Sequence, residues 1–327
     1  MSQQVSSDAA MGRRDFIGLS LLLVCVMIWG ANAVAFKIGT HPPAGIGFDP
    51  ILMNGLRFLL VAPILLAFIA FRDPGALRVT NRSDLLRYAV YGLFSIAISE
   101  TLLTVALTYT SVANMTLLGP GTMPLFTALW AAILDKQKLT RAGITGALVA
   151  MVGVGIVAGA GGNLHLSGTS LIGDGISLVR SVLQGVYMIY LNRTLRERNP
   201  FTVTIYNVLF GTLWFLPYVL WKAPGFAWGN VSWEVWAALW WTVLPTSVFG
   251  FLVWNTVMPR VGPVAATNVF YLLPLFGALS AWVVLGEPLT VPQMSGGAVI
   301  IAGLIVLRWE TLVAAGIVPG RKPVISG

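Results

Sequence analysis

One block of this chain occurs twice, and nothing in the sequence constrains its fold more. Pro124, Leu125, Phe126, Ala128, Leu129, Ala131, Leu139, Thr140, Gly146 and Gly153 reappear without a gap 150 residues later. The second set is Pro274, Leu275, Phe276, Ala278, Leu279, Ala281, Leu289, Thr290, Gly296 and Gly303. Identity at a long fixed offset marks two copies of one structural unit. The chain must therefore build two similar halves and fit them together.

Composition says what medium those halves occupy. Hydrophobic residues make up 57% of the chain and charged ones 10%, with a mean hydropathy of +0.82. A soluble domain carries about 45–50% apolar and about 25% charged residues, so this is an integral membrane protein. Spans of about 17–25 apolar residues run over 16–36, 50–71, 86–108, 112–134, 142–160, 171–191, 201–221, 235–257, 263–285 and 291–308, ten in all. Asp49-Pro50, Asn199-Pro200 and Val291-Pro292 put proline at helix entrances, where its missing N–H costs nothing. Arg13-Arg14-Asp15-Phe16, an apolar run and Ala31-Asn32-Ala33 imitate a twin-arginine export signal. The further spans of similar length favour a first membrane helix with a basic anchor.

The net charge of +8 would also suit a nucleic-acid binder, and the placement of the charges decides the matter. Arg13, Arg14, Arg72, Arg78, Arg82, Arg87, Lys136, Lys138, Arg141, Arg193, Arg196, Arg198, Arg260, Arg308, Arg321 and Lys322 all fall on one side of the ten spans. The opposite loops hold Lys37 and Lys222. That bias is the positive-inside rule; it puts both termini in the cytoplasm and excludes nucleic acid as partner. With five spans per copy, the second copy sits upside down relative to the first. The Asp135-Lys136-Gln137-Lys138 linker is basic, and its counterpart Leu285-Gly286-Glu287-Pro288 has no positive charge, as an outer loop requires. The expected architecture is all-α: ten transmembrane helices forming two inverted-topology repeats of five around a central cavity. Residues 1–15 form a cytoplasmic segment, 16–160 and 171–308 the repeats, 161–170 an outer loop, and 309–327 a cytoplasmic tail. In membrane proteins such repeats point to transporters.

The chain resembles the drug/metabolite transporter superfamily, of the kind built from two EamA-type repeats. The residues that carry the likeness are Trp29-Gly30 and Lys37 in the first span, Arg57 in the second, both Pro-Leu-Phe segments, and Gly-Glu-Pro-Leu-Thr at 286–290. The first copy departs from the usual linker, with Gln137 and Lys138 where the second has Glu287 and Pro288, which favours a turn role for Glu287. The resemblance implies alternating access without ATP in a bacterial inner membrane. It also implies export of small organic metabolites, with amino-acid exporters, including those for aromatic amino acids, the nearest kind; drug-like or cationic substrates are the alternative.

Candidate site residues follow from two signals. Helix breaks at corresponding places in two repeats point to a transporter's binding site: Gly119, Pro120, Gly121 and Pro124 in the fourth span, Pro274 and Gly277 in the ninth. The second signal is charge. Arg57, Glu100 and Arg180 lie seven to nine residues from the outer ends of their spans, on the order of 12 Å deep. A charge near mid-membrane costs roughly 2.5–3.5 kcal/mol on insertion scales, so the three are expected to share a wet cavity. Glu100 would pair with one arginine, leaving the other for a substrate carboxylate; an ion pair plus a snorkelling arginine is the structural alternative. Gln184, Tyr187, Asn207, Asn255, Asn268 and Tyr271 form a second polar group toward the inner half, lining a vestibule or hydrogen-bonding between helices. Trp29 either stacks on substrate or packs in the core.

Other signals are less pointed. Trp221, Phe226, Trp228, Trp233, Trp236, Trp240 and Trp241 read as interfacial anchors in the outer leaflet or as a capturing rim. Gly146, Gly153, Gly155, Gly296, Gly297 and Gly303 read as close helix contacts at the repeat boundary or between subunits of a homo-oligomer. His41 and His165 stand in separate loops and Cys25 is the lone cysteine, so neither a metal, a cofactor nor a disulfide is expected. A membrane-embedded enzyme would need a nucleophile with a base, or a metal set, and a passive scaffold would not need buried charges.

Overall fold

The computed structural model describes residues 13–79, 81–110, 115, 117–159, 170–286, 288–307 and 309. The first twelve residues, Glu287, the 161–169 loop, the tail beyond 309 and part of the fourth span lie outside it. Among the described residues there are helices and no strands. Six helical stretches among the described residues are long and apolar enough to cross a membrane: Ile17–Thr40, Pro50–Arg72, Arg82–Ala106, Pro200–Gly225, Trp233–Val261 and Pro263–Leu285. Met123–Leu134, Arg141–Val157 and Val291–Leu307 are shorter and also apolar. The helix Ser170–Glu197 has the length but is too polar to qualify, since it carries Asp174, Arg180 and Gln184. The protein is a multi-pass membrane protein.

Helix α1 (Arg13–Thr40) leads to α2 (Pro50–Arg72). Asp49 caps α2: its Oδ1 accepts from the amides of Ile51 and Leu52 at 3.0 and 3.2 Å and from the Tyr218 hydroxyl at 2.9 Å. Next come α3 (Arg82–Gly92), a π-helical segment Leu93–Ile98, and α4 (Ser99–Tyr109), one continuous rod. Then follow α5 (Met123–Leu134), α6 (Arg141–Gly159), α7 (Ser170–Glu197) and α8 (Pro200–Lys222). Asn199 caps α8 as Asp49 caps α2, accepting from the Phe201 amide at 2.9 Å. The last helical elements are α9 (Trp233–Trp241), a second π segment Thr242–Phe249, α10 (Gly250–Val261), α11 (Pro263–Thr267), a 3-10 turn Asn268–Leu272, α12 (Leu273–Leu285) and α13 (Val291–Leu307).

The packing pairs elements of one half with elements of the other. α6 lies along α13, α2 along α8, α1 along α12, and α7 along α5. The α6–α13 seam is the closest, because glycines let the backbones touch. A Cβ on Gly153 would sit 2.6 Å from the Ile300 nitrogen and 2.7 Å from the Gly296 oxygen. One on Gly296 would come 2.9 Å from the Gly153 oxygen, and one on Gly303 2.8 Å from the Gly146 oxygen. The glycines of the repeated block therefore face each other within one chain.

The proline breaks are interruptions rather than bends. The chain turns at Gly119–Thr122, and Pro124 falls in the first turn of α5; Pro274 falls in the first turn of α12, after the 3-10 segment. Proline is well placed there, where its absent N–H would have had no partner. At the α8–α9 connection, Phe226, Trp228 and Trp236 close over Phe48 with ring centroids 5.4–6.0 Å away. Phe226 in turn meets Trp228 edge-on at 4.9 Å. Trp221, Trp233, Trp240 and Trp241 stay exposed, as does the outer part of Trp236, so the cluster over Phe48 grades into an exposed aromatic belt. At the other end Arg198 donates to Asp84 at 2.9 Å, and this hydrogen bond holds its guanidinium above the ordinary value.

Candidate functional site

The first polar centre forms where α2, α4 and α7 meet the second π segment. Arg57 is buried on α2. Its Nε donates to Ser247 Oγ at 2.7 Å, and its Nη1 stands 3.8 Å from Glu100 Oε2. Arg180, half-buried on α7, donates from Nε to the Ser99 carbonyl at 3.0 Å and lies within electrostatic reach of Glu100. The other two guanidinium nitrogens of Arg180 make no hydrogen bond among the described residues. Gln184, one turn along, donates to Ser99 Oγ at 2.5 Å, and its Oε1 is buried with no partner among the described residues. Asn54 Oδ1 is likewise unpartnered, while its amide reaches Thr104 at 3.5 Å. The centre thus has two guanidiniums to one carboxylate, and spare acceptors beside them.

The π segments explain how such groups are held. A π turn displaces carbonyls from the regular ladder, and such turns gather at functional sites. The Trp29 indole donates to the Thr246 carbonyl at 2.9 Å, and Thr246 Oγ1 donates to Asn32 at 3.1 Å. Arg57 takes the next residue, Ser247. In the first π segment Ser95 donates to Asn207 Oδ1 at 2.9 Å, and Asn207 in turn donates to Tyr187 at 2.9 Å. The break before α5 is covered in the same way, since Ser181 Oγ donates to the carbonyls of Leu118 and Gly119 at 3.1 and 2.5 Å.

The EamA-like transporter family matches residues 16–159 and again 171–309. The chain belongs to that family. An uncharacterized transporter of Archaeoglobus fulgidus is 28% identical over 87% of this chain and 94% of its own length. A probable terminal-alkyne amino-acid exporter of Streptantibioticus cattleyicolor is 28% identical over 89% of this chain and 93% of its own. A probable amino-acid metabolite efflux pump of Salmonella typhimurium is 26% identical over 90% of this chain and 94% of its own. One solved crystal structure superposes with a TM-score of 0.74 at 20% identity, covering 92% of this chain and 99% of that one, a likeness of fold alone.

Within this EamA-like fold the residues singled out from sequence fall into different surroundings. Arg57, Glu100 and Arg180 come together. Gln184 joins them through Ser99 and leaves the inner polar group in which the sequence placed it. Trp29 stacks on Phe270 at 5.5 Å and tilts against Trp254 at 5.2 Å, so one face of the indole is occupied by the core. Tyr187 pairs with Asn207, and Asn255 donates to Thr204 at 2.8 Å. Asn268 is buried in the 3-10 turn; Tyr271 packs among Ala147, Val154 and Ile300 at the α6–α13 seam, its hydroxyl unpartnered among the described residues. Gly277 lies in the first turns of α12 near Gly30: a Cβ on Gly30 would stand 3.0 Å from the Gly277 nitrogen. Gly119, Pro120 and Gly121 form the turn before α5. Sequence reasoning missed Ser99, Thr246 and Ser247, small hydroxyl residues whose role comes from the helix breaks beside them.

Proposed function

We propose that this EamA-like protein is a secondary transporter of the bacterial inner membrane that exports amino acids, aromatic ones among them, by alternating access. Its ten helices form two inverted repeats of five with both termini cytoplasmic. The exchange of packing partners between halves supports this layout: Gly146 meets Gly303 as Gly296 meets Gly153, each glycine swapped for its 150-residue counterpart. The names of the exporter and efflux-pump relatives support the substrate class.

One observation carries the reading, the excess guanidinium of Arg180 beside a compensated Arg57–Glu100 pair. A partly buried cation with two nitrogens unpartnered among the described residues calls for an anion, and a carboxylate fits its fork. Glu100 and the spare oxygens of Gln184 and Asn54 supply acceptors for an ammonium group. The test is flux of labelled amino acids from proteoliposomes, with and without a pH gradient, for wild type and Arg180→Gln. Wild-type flux lost in Arg180→Gln at unchanged thermal stability is expected. Normal flux in the variant would end the assignment, and dependence on the gradient would make the carrier proton-coupled.

A further inference from the structure

The two π segments occupy matching places in the chain, yet the half-helices that lead into them lean in different directions. α3 packs along α8 and makes no comparable contact with α7, whereas α9 packs along α1 and only lightly against α2. Under the 150-residue correspondence α8 matches α2 and α7 matches α1, so α3 and α9 have chosen opposite neighbours. Beyond the π segments the asymmetry disappears, since α4 lies on α7 and α10 on α1. The result is a wedge between α3 and α7, a cavity of about 590 Å3. Its walls are Val90, Tyr91 and Phe94 on one side and Val186, Tyr187 and Tyr190 on the other; Arg87, Arg193 and Glu197 stand at its mouth. Tyr91 crosses the gap, its hydroxyl bonded to the Tyr190 carbonyl at 3.0 Å and to Thr194 Oγ1 at 2.7 Å.

We infer that this wedge is the substrate's inlet from the cytoplasmic side, and that it receives a zwitterion with an aromatic or branched apolar side chain. The inference rests on the transporter reading above. At the mouth Arg87 stands 3.8 Å from Asp84 and 4.0 Å from Glu197, and the Arg87 and Glu197 side chains are 40% and 63% exposed, so a substrate ammonium can take Glu197 while its carboxylate approaches Arg87, which keeps Asp84. Inside, Tyr91 and Tyr187 meet edge to face at 5.7 Å, a wall against which an aromatic or branched side chain packs. The volume is in the ordinary range for a small-molecule site, about 300–1,000 Å3. Leu183 also lines the wedge and precedes Gln184 on α7, so the inlet reaches the depth of the Arg180 centre, on a neighbouring face of the same helix. Moving α3 from α8 onto α7, about the π segment Leu93–Ile98, would close the inlet.

Thiol labelling tests the inlet directly, because its first readout needs no transported ligand. Phe94→Cys and Val186→Cys are placed in the full chain, whose fully buried Cys25 gives the background. Inside-out vesicles are treated with a charged, membrane-impermeant maleimide, and Leu213→Cys, on an exposed apolar position of α8, serves as the lipid-facing control. Both wedge thiols should react at least about tenfold faster than the control, because an apolar surrounding that raises a thiol's pKa by one unit cuts its thiolate about tenfold. L-phenylalanine should slow the labelling severalfold, and phenethylamine, which lacks the carboxylate, should not. Wedge thiols no faster than Leu213→Cys would mean a lipid-filled groove and overturn the inlet. Fast labelling that L-phenylalanine leaves unchanged, in a protein that carries L-phenylalanine, would overturn the ligand. Fast labelling in a protein that moves no amino acid would instead overturn the substrate class of the preceding section and leave the inlet standing.

Discussion

The Arg57–Glu100 pair allows a structural role to be separated from a transport role. Arg57 is 5% exposed, and the Glu100 side chain 17%. Removing one member of a buried pair costs about 3–5 kcal/mol, because the survivor is left charged and unpaired. Glu100→Gln leaves Arg57 buried with Ser247 as its hydrogen-bond acceptor, so a loss near the lower end, about 3 kcal/mol, is expected. Arg57→Met should lose less, since the surviving Glu100 keeps Arg180 nearby. At about 2–4 °C per kcal/mol, Glu100→Gln should melt roughly 6–12 °C below wild type. The double variant Arg57→Met, Glu100→Leu removes both charges and should recover most of that loss, since replacing a whole buried pair by apolar groups is often about neutral. The assay is thermal melting in detergent beside amino-acid flux in proteoliposomes. If the pair belongs to the transport site, the double variant is stable and inactive. A stable double variant with wild-type flux would show a purely structural ion pair and refute the reasoning. A double-variant loss equal to the sum of the single losses would show that the residues do not interact.

Three further outcomes follow from the packing. Gly153→Leu should destabilise by about 1–3 kcal/mol or more, since its Cβ meets backbone at 2.6 Å, while Gly175→Ala, with nothing within 4 Å, should be neutral or gain up to about 1 kcal/mol; comparative melting checks both. Gly250→Ala would bring a Cβ to 2.8 Å from the Trp29 indole nitrogen and displace it from the Thr246 carbonyl, which should change tryptophan emission and lower flux. Reporter fusions in the 135–138 and 286–290 linkers should report opposite faces of the membrane; the same face for both would collapse the inverted arrangement.

Much of the fold was legible because its signals are local in sequence. Most of the apolar windows end within a few residues of the observed helices, and Pro50, Pro200 and Pro292 sit at helix starts. The glycines of the repeat pack as close contacts because the lack of a side chain is a property of each position alone. Rotational phase between helices was not legible. Gln184 lies one turn from Arg180, and only the position of α4 reveals that both reach Ser99. Trp29 could be placed at mid-membrane, but not against Phe270 and Trp254, which arrive from distant helices. The first π segment left no trace either: Leu93–Ile98 contains no proline, so its extra residue per turn depends on tertiary partners, whereas the second carries Pro245, a helix-breaking signal that sequence reasoning missed.

That dependence links the helix breaks to the charges. Inside a bilayer every displaced carbonyl needs a donor from the protein. Here the Thr246 carbonyl is met by Trp29, that of Leu118 by Ser181 and Thr122, and that of Gly119 by Ser181 beside the Thr122 and Met123 amides, while that of Ser99, just beyond the first π segment, takes Arg180 Nε. Each of these donors is held by the fold before any substrate arrives. Arg180 differs from the others in having more donors than its carbonyl uses. A tryptophan at such a break spends its one N–H there, whereas Arg180 is anchored at Nε and keeps two nitrogens with no partner among the described residues. Replacing Arg180 by lysine would keep the charge and lose that division of labour, since a single ammonium cannot both hold the Ser99 carbonyl and present a fork to a carboxylate. Arg180→Lys should therefore retain the fold and raise the substrate concentration needed for half-maximal flux; a variant with unchanged flux at low substrate would mean that charge alone suffices.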